Sequence, residues 1–263
     1  MIRVLVSGSG KMGRAILDAI DAEDGLDPVG VVDAMATASA ITLPSGKHLP
    51  VATDAGAACD AARPDVVIDF TNAAWTPVLT EAALRRGVRP VIGTTGLPQD
   101  YVDALARACR ERKLGGLLAA NFAIGAVLLM HMAKVASRFF DAAEIIELHH
   151  DKKVDAPSGT SIATARGMLE ARGGRPFDRN VPDAETIAGT RAGALDGITI
   201  HSVRLPGLVA HQEVLFGGIG QTLSIRHDSI GRDSFLPGII LATREVMQRQ
   251  ELVIGLDALF GMT

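Results

Sequence analysis

The first half of the chain alternates short apolar runs with amphipathic stretches. Ile2–Ser7 is apolar almost throughout, as is typical of a strand buried on both faces of a parallel sheet, and Arg14–Asp21 has helical spacing. The alternation predicts further strands at Val29–Asp33, Asp65–Phe70, Arg89–Ile92 and Leu117–Ala119, and helices at Pro77–Arg86 and Gln99–Lys113. Strands alternating with helices predict an α/β fold with a Rossmann-like, doubly wound parallel sheet.

The pattern changes after Asn121, which indicates a second domain. A long apolar helix is predicted at Ala123–Phe140, and a strand with period-two alternation leads into the stretch Glu144–Thr160. The rest predicts a helix at Ser161–Arg172, a polar loop or lid at Gly173–Asp196, antiparallel strands at Ile198–Arg204, His211–Phe216 and Gln221–His227, and a helix at Phe235–Gln248. This second domain is expected to be α+β with a mixed, largely antiparallel sheet. The spacing leaves open which domain the last helix joins.

Composition narrows the class of protein. The 263 residues are 48% hydrophobic and 21% charged, which is ordinary for a globular protein of one or two domains. The net charge of −4 gives no reason to expect nucleic acid or a membrane as partner. The longest apolar run, Phe122–Met130, is far shorter than the roughly 20 residues that span a bilayer. The first residues lack a secretory signal, and two distant cysteines fit reduced thiols, so we expect a cytoplasmic protein.

The loop after the first strand has the glycine spacing of a dinucleotide site. Gly8-Ser9-Gly10-Lys11-Met12-Gly13 follows a predicted strand and opens a predicted helix, and Asp33 ends the next strand. Glycines permit a tight turn and close approach of pyrophosphate to the helix N-terminus. The alternative is a glycine turn that only tightens packing between strand and helix.

The prediction of a preference between NADH and NADPH depends on Asp33. A carboxylate there accepts hydrogen bonds from the adenosine ribose and repels a 2′-phosphate, and no arginine lies close by in the sequence. We therefore expect NADH to be preferred over NADPH, with a strand-end cap as the alternative role of Asp33. Two more loops end parallel strands, and their residues are expected near the nicotinamide: Phe70, Thr71, Gly93, Thr94 and Thr95. Either loop alone also fits a ligand-free turn.

The stretch Glu144–Thr160 brings acid–base groups to an anion site. His149 and His150 end a strand, Lys153 follows, and Ser158-Gly159-Thr160 opens a helix whose N–H groups attract anions. This predicts a pocket for a carboxylate- or phosphate-bearing molecule, in which His149 or Lys153 acts as general acid. His131 is expected to be a core histidine, and His201, His211 and His227 are left without a role. No residue set has the spacing of a metal site.

Taken together, these motifs resemble one enzyme family. The glycine loop, Gly93-Thr-Thr-Gly, Ala119-Ala-Asn-Phe-Ala and Glu147-Leu-His-His-Asp-Lys-Lys-Val-Asp-Ala-Pro-Ser-Gly-Thr are similar to those of the 4-hydroxy-tetrahydrodipicolinate (dihydrodipicolinate) reductases. Ser202-Val-Arg204, His211 and the residues from His227 to Gly238 extend the resemblance over essentially the whole chain. The alternatives are another dehydrogenase, acting on a semialdehyde or hydroxy acid, and a nucleotide-sensing module without activity.

The resemblance implies a reaction and roles for named residues. NAD(P)H would reduce a small cyclic dicarboxylate in the diaminopimelate route to lysine, with His149 as proton donor assisted by Lys153. The implied substrate-binding residues are His150, Lys153, Ser158, Gly159, Thr160 and Arg232. Ala120, Asn121 and Phe122 would join the cofactor site. Residues 1–121, completed by 234–263, would bind the dinucleotide, and residues 122–233 would bind substrate and build a homotetramer.

The chain also departs from the usual family pattern at four points. The glycine loop is one residue shorter, which puts its detailed phosphate contacts in doubt. Ala120 and Ala123 replace the proline and serine that often flank Asn-Phe, and Ala210 replaces a glycine before His211. Contacts from the replaced side chains at 120 and 123 therefore do not carry over.

Overall fold

The computed structural model describes residues 1–182 and 184–261. Asp183, within the predicted lid, and Met262 and Thr263, at the end of the predicted C-terminal segment, lie outside the described residues. The chain forms two compact units: residues 1–124 with the segment from Arg232 onward, and residues 125–231.

The first unit is built on one sheet of eight strands. Its strands are β1 (Ile2–Ser7), β2 (Leu26–Val32), β3 (Ala40–Thr42), β4 (His48–Ala52), β5 (Val66–Asp69), β6 (Arg89–Ile92), β7 (Gly116–Leu118) and, near the end of the chain, β13 (Leu252–Ile254). They lie in the order β13-β7-β6-β5-β1-β2-β4-β3, and every neighbouring pair is parallel except β3 with β4. The strand order reverses about β1, so the loops after β1 and β5 flank the crevice where such sheets bind ligands.

Helices connect these strands. They are α1 (Lys11–Asp21), α2 (Ala55–Ala62), α3 (Thr76–Leu84), α4 (Gln99–Arg112) and α7 (Leu236–Glu245). The central strands are buried on both faces, as the continuous apolar run of β1 predicts. The short strands β3, β4 and β13 and the alanine-rich α2 were not predicted, because three to eight residues carry too little periodicity.

The second unit packs two helices on one face of a five-stranded sheet. Its elements are α5 (Ile124–Ala136), whose first residue belongs to the first unit, β8 (Ala142–His149), α6 (Gly159–Ala171), β9 (Gly193–Leu195), β10 (Ile198–Arg204), β11 (Ala210–Gly218) and β12 (Gln221–Ser229). The strands lie in the order β12-β11-β8-β10-β9. Apolar residues of both helices form one core with residues of β8, β10 and β11.

One strand direction corrects the sequence prediction. β10 was expected to pair as an antiparallel strand, but it runs parallel to β8, with Arg204 opposite His149. The physical reason is the crossover through α6, which returns the chain to the end of the sheet where β8 began. The predicted fold class, a Rossmann-like parallel sheet plus an α+β domain with a mixed sheet, is confirmed.

Helix ends also differ from prediction. The helix expected at Ala123–Phe140 ends at Ala136, where the Ser137 hydroxyl donates to the carbonyls of Lys134 and Met168. The helix expected from Ser161 begins at Gly159. The helix expected at Phe235–Gln248 is α-helical only at Leu236–Glu245 (α7), with a short 3-10 turn on either side.

The difference in burial between the core and a turn of the second unit predicts unequal effects of the same substitution. Ile145 is fully buried in the core, whereas Ile219 in the β11–β12 turn is fully exposed. Ile145→Ala should lower the free energy of unfolding by about 2–5 kcal/mol, and Ile219→Ala by less than about 0.5 kcal/mol. Urea unfolding followed by circular dichroism measures both. Equal effects would show that this core is not the one described.

Candidate active site

The glycine loop turns from β1 into α1, and two of its glycines lie where a side chain would be strained or would clash. Gly8 has φ of 93°, a conformation that favours glycine, and a Cβ on Gly13 would lie 1.9 Å from the Gly8 carbonyl oxygen. Gly10 caps α1 without a side-chain hydrogen bond, so the first N–H groups of the helix are free to bind an anion. The structure therefore has the backbone features that a pyrophosphate site needs.

Asp33 lies beside this loop and is already hydrogen-bonded. Its Oδ2 accepts from the Ser9 N–H at 2.8 Å and from the Ser9 hydroxyl at 2.5 Å, and its Oδ1 accepts from the Met35 N–H at 3.0 Å. Burial acts to raise the pKa of Asp33, but these hydrogen bonds outweigh it and hold the pKa below its usual value. Asp33 is thus an ionised carboxylate at the edge of a cavity of about 290 Å³, which Thr71 and Trp75 also line.

An arginine does lie near Asp33, contrary to the sequence argument. Arg14 in α1 lines a second cavity, of about 260 Å³, with Ser9 and Met35, and its Nε is 3.4 Å from the Ser9 carbonyl oxygen. The residues that directly follow Asp33 in the sequence contain no arginine. The first turns of α1 bring in a cation from nineteen positions earlier in the chain.

A buried carboxylate joins the loops after β5 and β6. Asp69 is 1% exposed and accepts hydrogen bonds from the hydroxyls of Thr71 at 2.6 Å, Thr76 at 2.5 Å and Thr94 at 3.1 Å. The Thr94 hydroxyl in turn accepts from the Thr71 N–H at 3.1 Å. Thr71 and Thr94, both predicted cofactor residues, are therefore held together by Asp69, the last residue of β5.

Aromatic packing brings in the loop after β7. The ring of Phe70 packs on Phe122 with centroids 5.1 Å apart, and a Cβ on Gly93 would lie 2.1 Å from the Phe70 ring. Asn121 accepts a hydrogen bond from Ala123, which shapes the turn into α5. The predicted nicotinamide-side loops after β5, β6 and β7 therefore converge, and Thr95 and Ala120 are exposed there.

In the second unit, His149 is attached to a buried ion pair. Its Nδ1 is 2.5 Å from Oε2 of Glu147, whose side chain is fully buried. Arg204 on β10 donates to both carboxylate oxygens of Glu147, at 2.9 and 2.7 Å, and to the carbonyl of Asp155. The alternation of β8 places Glu147 and His149 on the same face, so this pairing was readable from the sequence. The parallel pairing that delivers Arg204 was not.

Burial and charge act in opposite directions on these groups. Burial lowers the pKa of His149 and the Glu147 carboxylate raises it, and the net pKa lies below the usual histidine value. Burial would raise the pKa of Glu147, but the hydrogen bonds from Arg204, Ser202 and His149 hold it below its usual value. The hydrogen bonds to Glu147 therefore favour its ionised form beside His149.

The two other basic residues of the stretch differ in position. The Lys153 ammonium is partly buried and pairs with Asp155 at 2.7 Å, and its charge acts on His149. His150 follows the last residue of β8 and is exposed. An incoming carboxylate would compete with Asp155 for Lys153.

In the loop that opens α6, one residue is buried and hydrogen-bonded, whereas the next two are more accessible to solvent. Ser158 is buried, its hydroxyl caps α6 through the Ser161 N–H, and its own N–H donates to Glu147 at 3.3 Å. Gln212 on β11 joins this network through Ser161 and Thr164, each at 2.8 Å. Gly159 is exposed and Thr160 is half-buried, so the accessible donors of this anion site are theirs rather than those of Ser158.

Arg232 and four of the histidines considered in the sequence lie outside the stretch from Glu147 to Thr160. Arg232 is exposed, begins a 3-10 turn and belongs to the first unit, unlike the other predicted substrate residues. His131, expected in the core, is half-buried. His201 pairs with Glu144, His211 pairs with Asp228, and the His227 ring packs on Gly125.

Among residues 1–182 and 184–261, no group of three or more His, Cys, Asp or Glu side chains is placed to hold a metal ion. In the same part of the chain, no helix combines the length and apolar character needed to cross a membrane.

The two units coincide closely with two family descriptions. Residues 2–122 match "Dihydrodipicolinate reductase, N-terminus", and residues 125–260 match "Dihydrodipicolinate reductase, C-terminus". The chain belongs to the dihydrodipicolinate reductase family. Its N-terminal unit is accordingly an NAD(P)-binding Rossmann-type domain, and the family places the chain in lysine and diaminopimelate biosynthesis.

Relatives in this family match over nearly their full length. The chain is 45% identical to the 4-hydroxy-tetrahydrodipicolinate reductase of Dehalococcoides mccartyi, over 99% of both chains. It is also 45% identical to that of Geobacillus kaustophilus, over 97% of this chain and 98% of the other.

Solved structures show the same fold. A dipicolinate-bound dihydrodipicolinate reductase from Paenisporosarcina sp. TG-14 matches with a TM-score of 0.89 and 40% identity, covering 98% of this chain and 99% of that one. An amine dehydrogenase from Mycobacterium smegmatis matches with a TM-score of 0.68, covering 97% and 95%, but is only 13% identical. That second likeness concerns the fold alone.

Proposed function

We propose that this chain reduces 4-hydroxy-tetrahydrodipicolinate, or the dihydrodipicolinate that it forms by losing water, to tetrahydrodipicolinate. The observation that carries the proposal is the strand–loop–helix from Glu147 to Thr160. It brings a histidine on a buried carboxylate, a lysine and a helix N-terminus together, in a chain that belongs to this reductase family.

The substrate's carboxylates find cationic and N–H partners in the second unit. Lys153 offers an ammonium once Asp155 is displaced, and the first turn of α6 offers the free N–H groups of Gly159 and Thr160. We assign His150, in the same unit, as a further carboxylate partner. Ser158 shapes the loop as the helix cap, and its role toward substrate is to hold Gly159 and Thr160 in place.

The first unit has the features that suit NAD(P)H. Its pyrophosphate would bind at the start of α1, where Gly13 leaves room for close packing, its adenosine ribose at Asp33, and its nicotinamide side at Phe70, Thr71 and the loops from Gly93 and Ala120. When bound, NAD(P)H supplies the hydride.

The chain's own contribution to the chemistry is a proton. A hydride added at C4 of the ring leaves an electron pair in the conjugated system, which must take up one proton to give the tetrahydro product. His149 in its imidazolium form donates this proton, and the Lys153 charge favours the developing anion. The neutral imidazole then regains a proton from solvent.

Replacing His149 tests the proton-donor role. His149→Gln should lower kcat by about 10²–10⁴-fold, the usual contribution of a general acid, and leave binding of NADH unchanged. The assay supplies aspartate semialdehyde, pyruvate and the preceding synthase and follows NADH consumption. His131→Gln, which makes the same substitution at a histidine of α5, is the control. Unchanged turnover in His149→Gln would remove His149 from the mechanism, and no turnover in the native chain would refute the function.

We further propose that NADH is the preferred donor. The ionised Asp33 repels a 2′-phosphate, whereas Arg14 on the neighbouring cavity would attract one, so the preference should be moderate. Asp33→Asn should raise kcat/KM for NADPH relative to NADH, and Arg14→Gln should lower it. Trp75, the chain's single tryptophan, lines the Asp33 cavity, so its fluorescence measures both dissociation constants. A native preference for NADPH would contradict the proposal.

We also propose a homotetramer in the cytoplasm, built through the second sheet. The sheet face opposite the helices carries half-buried apolar residues: Ile146, Leu148, Val203 and Leu215.

Buried free thiols at Cys59 and Cys109 fit a reducing compartment such as the cytoplasm, and cell fractionation tests this location.

Leu215→Arg should dissociate the assembly. Leu215 lies on the sheet face opposite the helices and outside the apolar core, so the unit should still fold. Sedimentation should show four 27.5-kDa chains for the native protein and fewer for the variant, with Ile219→Arg in the exposed turn unchanged. A native monomer would refute this assembly.

A further inference from the structure

Glu147 contacts the proposed proton donor on β8, the N-cap residue of α6 and an arginine on β10. Its carboxylate is fully buried and meets the His149 ring, the Ser158 N–H and both terminal nitrogens of Arg204. A charge buried so completely is retained only with strong partners, and the two-point pairing with Arg204 is the strongest that a carboxylate forms.

We propose that Glu147, kept ionised by Arg204, is a positioning residue that fixes the ring hydrogen of His149 on Nδ1. Nε2 is then the one ring nitrogen that gains and loses the catalytic proton. This inference rests on the proposed role of His149 as proton donor.

The hydrogen on Nδ1 follows from which of the two groups can donate. An ionised carboxylate accepts hydrogen bonds and has none to donate, so the short contact with Nδ1 requires a hydrogen on Nδ1. That requirement holds whether the ring is neutral or protonated. The ring therefore changes charge only at Nε2, and its orientation is locked by the same bond.

Glu147 also reaches the anion site. Its Oε1 accepts from the Ser158 N–H, one residue before Gly159 and at the cap of α6. The orientation of the proton donor and the position of the carboxylate-binding turn thus depend on one side chain. Loss of Glu147 should accordingly change both kcat and KM.

The charged groups around His149 give the direction of a pH effect. Glu147 on its own strand raises the pKa of His149, while Lys153 in the following loop and Arg204 on β10 lower it. Lys153 is itself paired with Asp155, β11 places the uncharged Ala210 beside His149, and α6 contributes the uncharged Ser158. Removing the Glu147 charge should therefore lower the pKa of His149 further.

The direction in which kcat/KM changes with pH follows because the protonated form of His149 is the active one. kcat/KM should fall as pH rises through the pKa of His149 in the free enzyme. In Glu147→Gln this descending limb should move to lower pH, and kcat should fall about 10²-fold, the lower end of a general acid's contribution.

Gln212 provides a matched control. It lies opposite Glu147 on β11, is 7% exposed, and bonds to Ser161 and Thr164 of α6, but its hydrogen bonds do not include His149. Gln212→Met should disturb the α6 turn and raise KM without moving the pH limb. A shift of equal size in Gln212→Met would reduce Glu147 to a structural role.

The native protein alone already tests the tautomer. The chain has seven histidines, and ¹⁵N-histidine NMR, with His149 assigned by its loss in His149→Gln, reports which ring nitrogen carries hydrogen. The neutral ring should carry it on Nδ1. Hydrogen on Nε2 would overturn the proposal, whether or not any Glu147 variant folds.

Variants extend the tautomer test. Glu147→Gln leaves Arg204 without its charged partner and is at risk of unfolding. The double variant Glu147→Gln with Arg204→Met removes both charges, and in it the neutral ring should carry hydrogen on either nitrogen. A ring still fixed on Nδ1 there would show that Glu147 is not its cause. Because these readouts need no turnover, failure of this inference is distinguishable from failure of the proposed reaction.

Discussion

The second unit is organised by the need to pair one buried charge. Glu147 lies on the core face of β8 with no access to water, so its ionised form exists only where donors surround it. Arg204, Ser158 and His149 provide those donors, and each belongs to a different part of the unit. The parallel pairing of β8 with β10 and the turn into α6 are what bring those donors to Glu147.

The first unit uses the same device with different chemistry. Asp69 is also a carboxylate at the C-terminal end of a strand, and it also joins loops that the proposed ligand would touch. Its partners are neutral hydroxyls of Thr71, Thr76 and Thr94 rather than a guanidinium. A hydroxyl can rotate to donate to its neighbour. This arrangement therefore orders the loops without burying a cationic side chain beside Asp69.

Sequence reasoning found what depends on local pattern. Glycine spacing gave the loop between β1 and α1, and alternation placed Glu147 and His149 on one face of β8. What it missed depends on pairing between distant segments. Arg204 reaches Glu147 only because β10 runs parallel to β8, and Arg14 reaches the Asp33 loop only because α1 folds back beside β2. Strands of three residues, such as β3, are too short to show a periodic pattern in the sequence.

The contact between Glu147 and Arg204 also has a consequence for the order of folding. The two residues are 57 positions apart, and α6 and the long polar segment up to β9 lie between them. Closing a loop of that length costs entropy before the ion pair compensates for it, so we expect β8 and β10 to pair late in folding. The proton donor is not oriented until they do. Catalytic competence and completion of this unit's topology are therefore one event, and a partly folded chain has no partly working site.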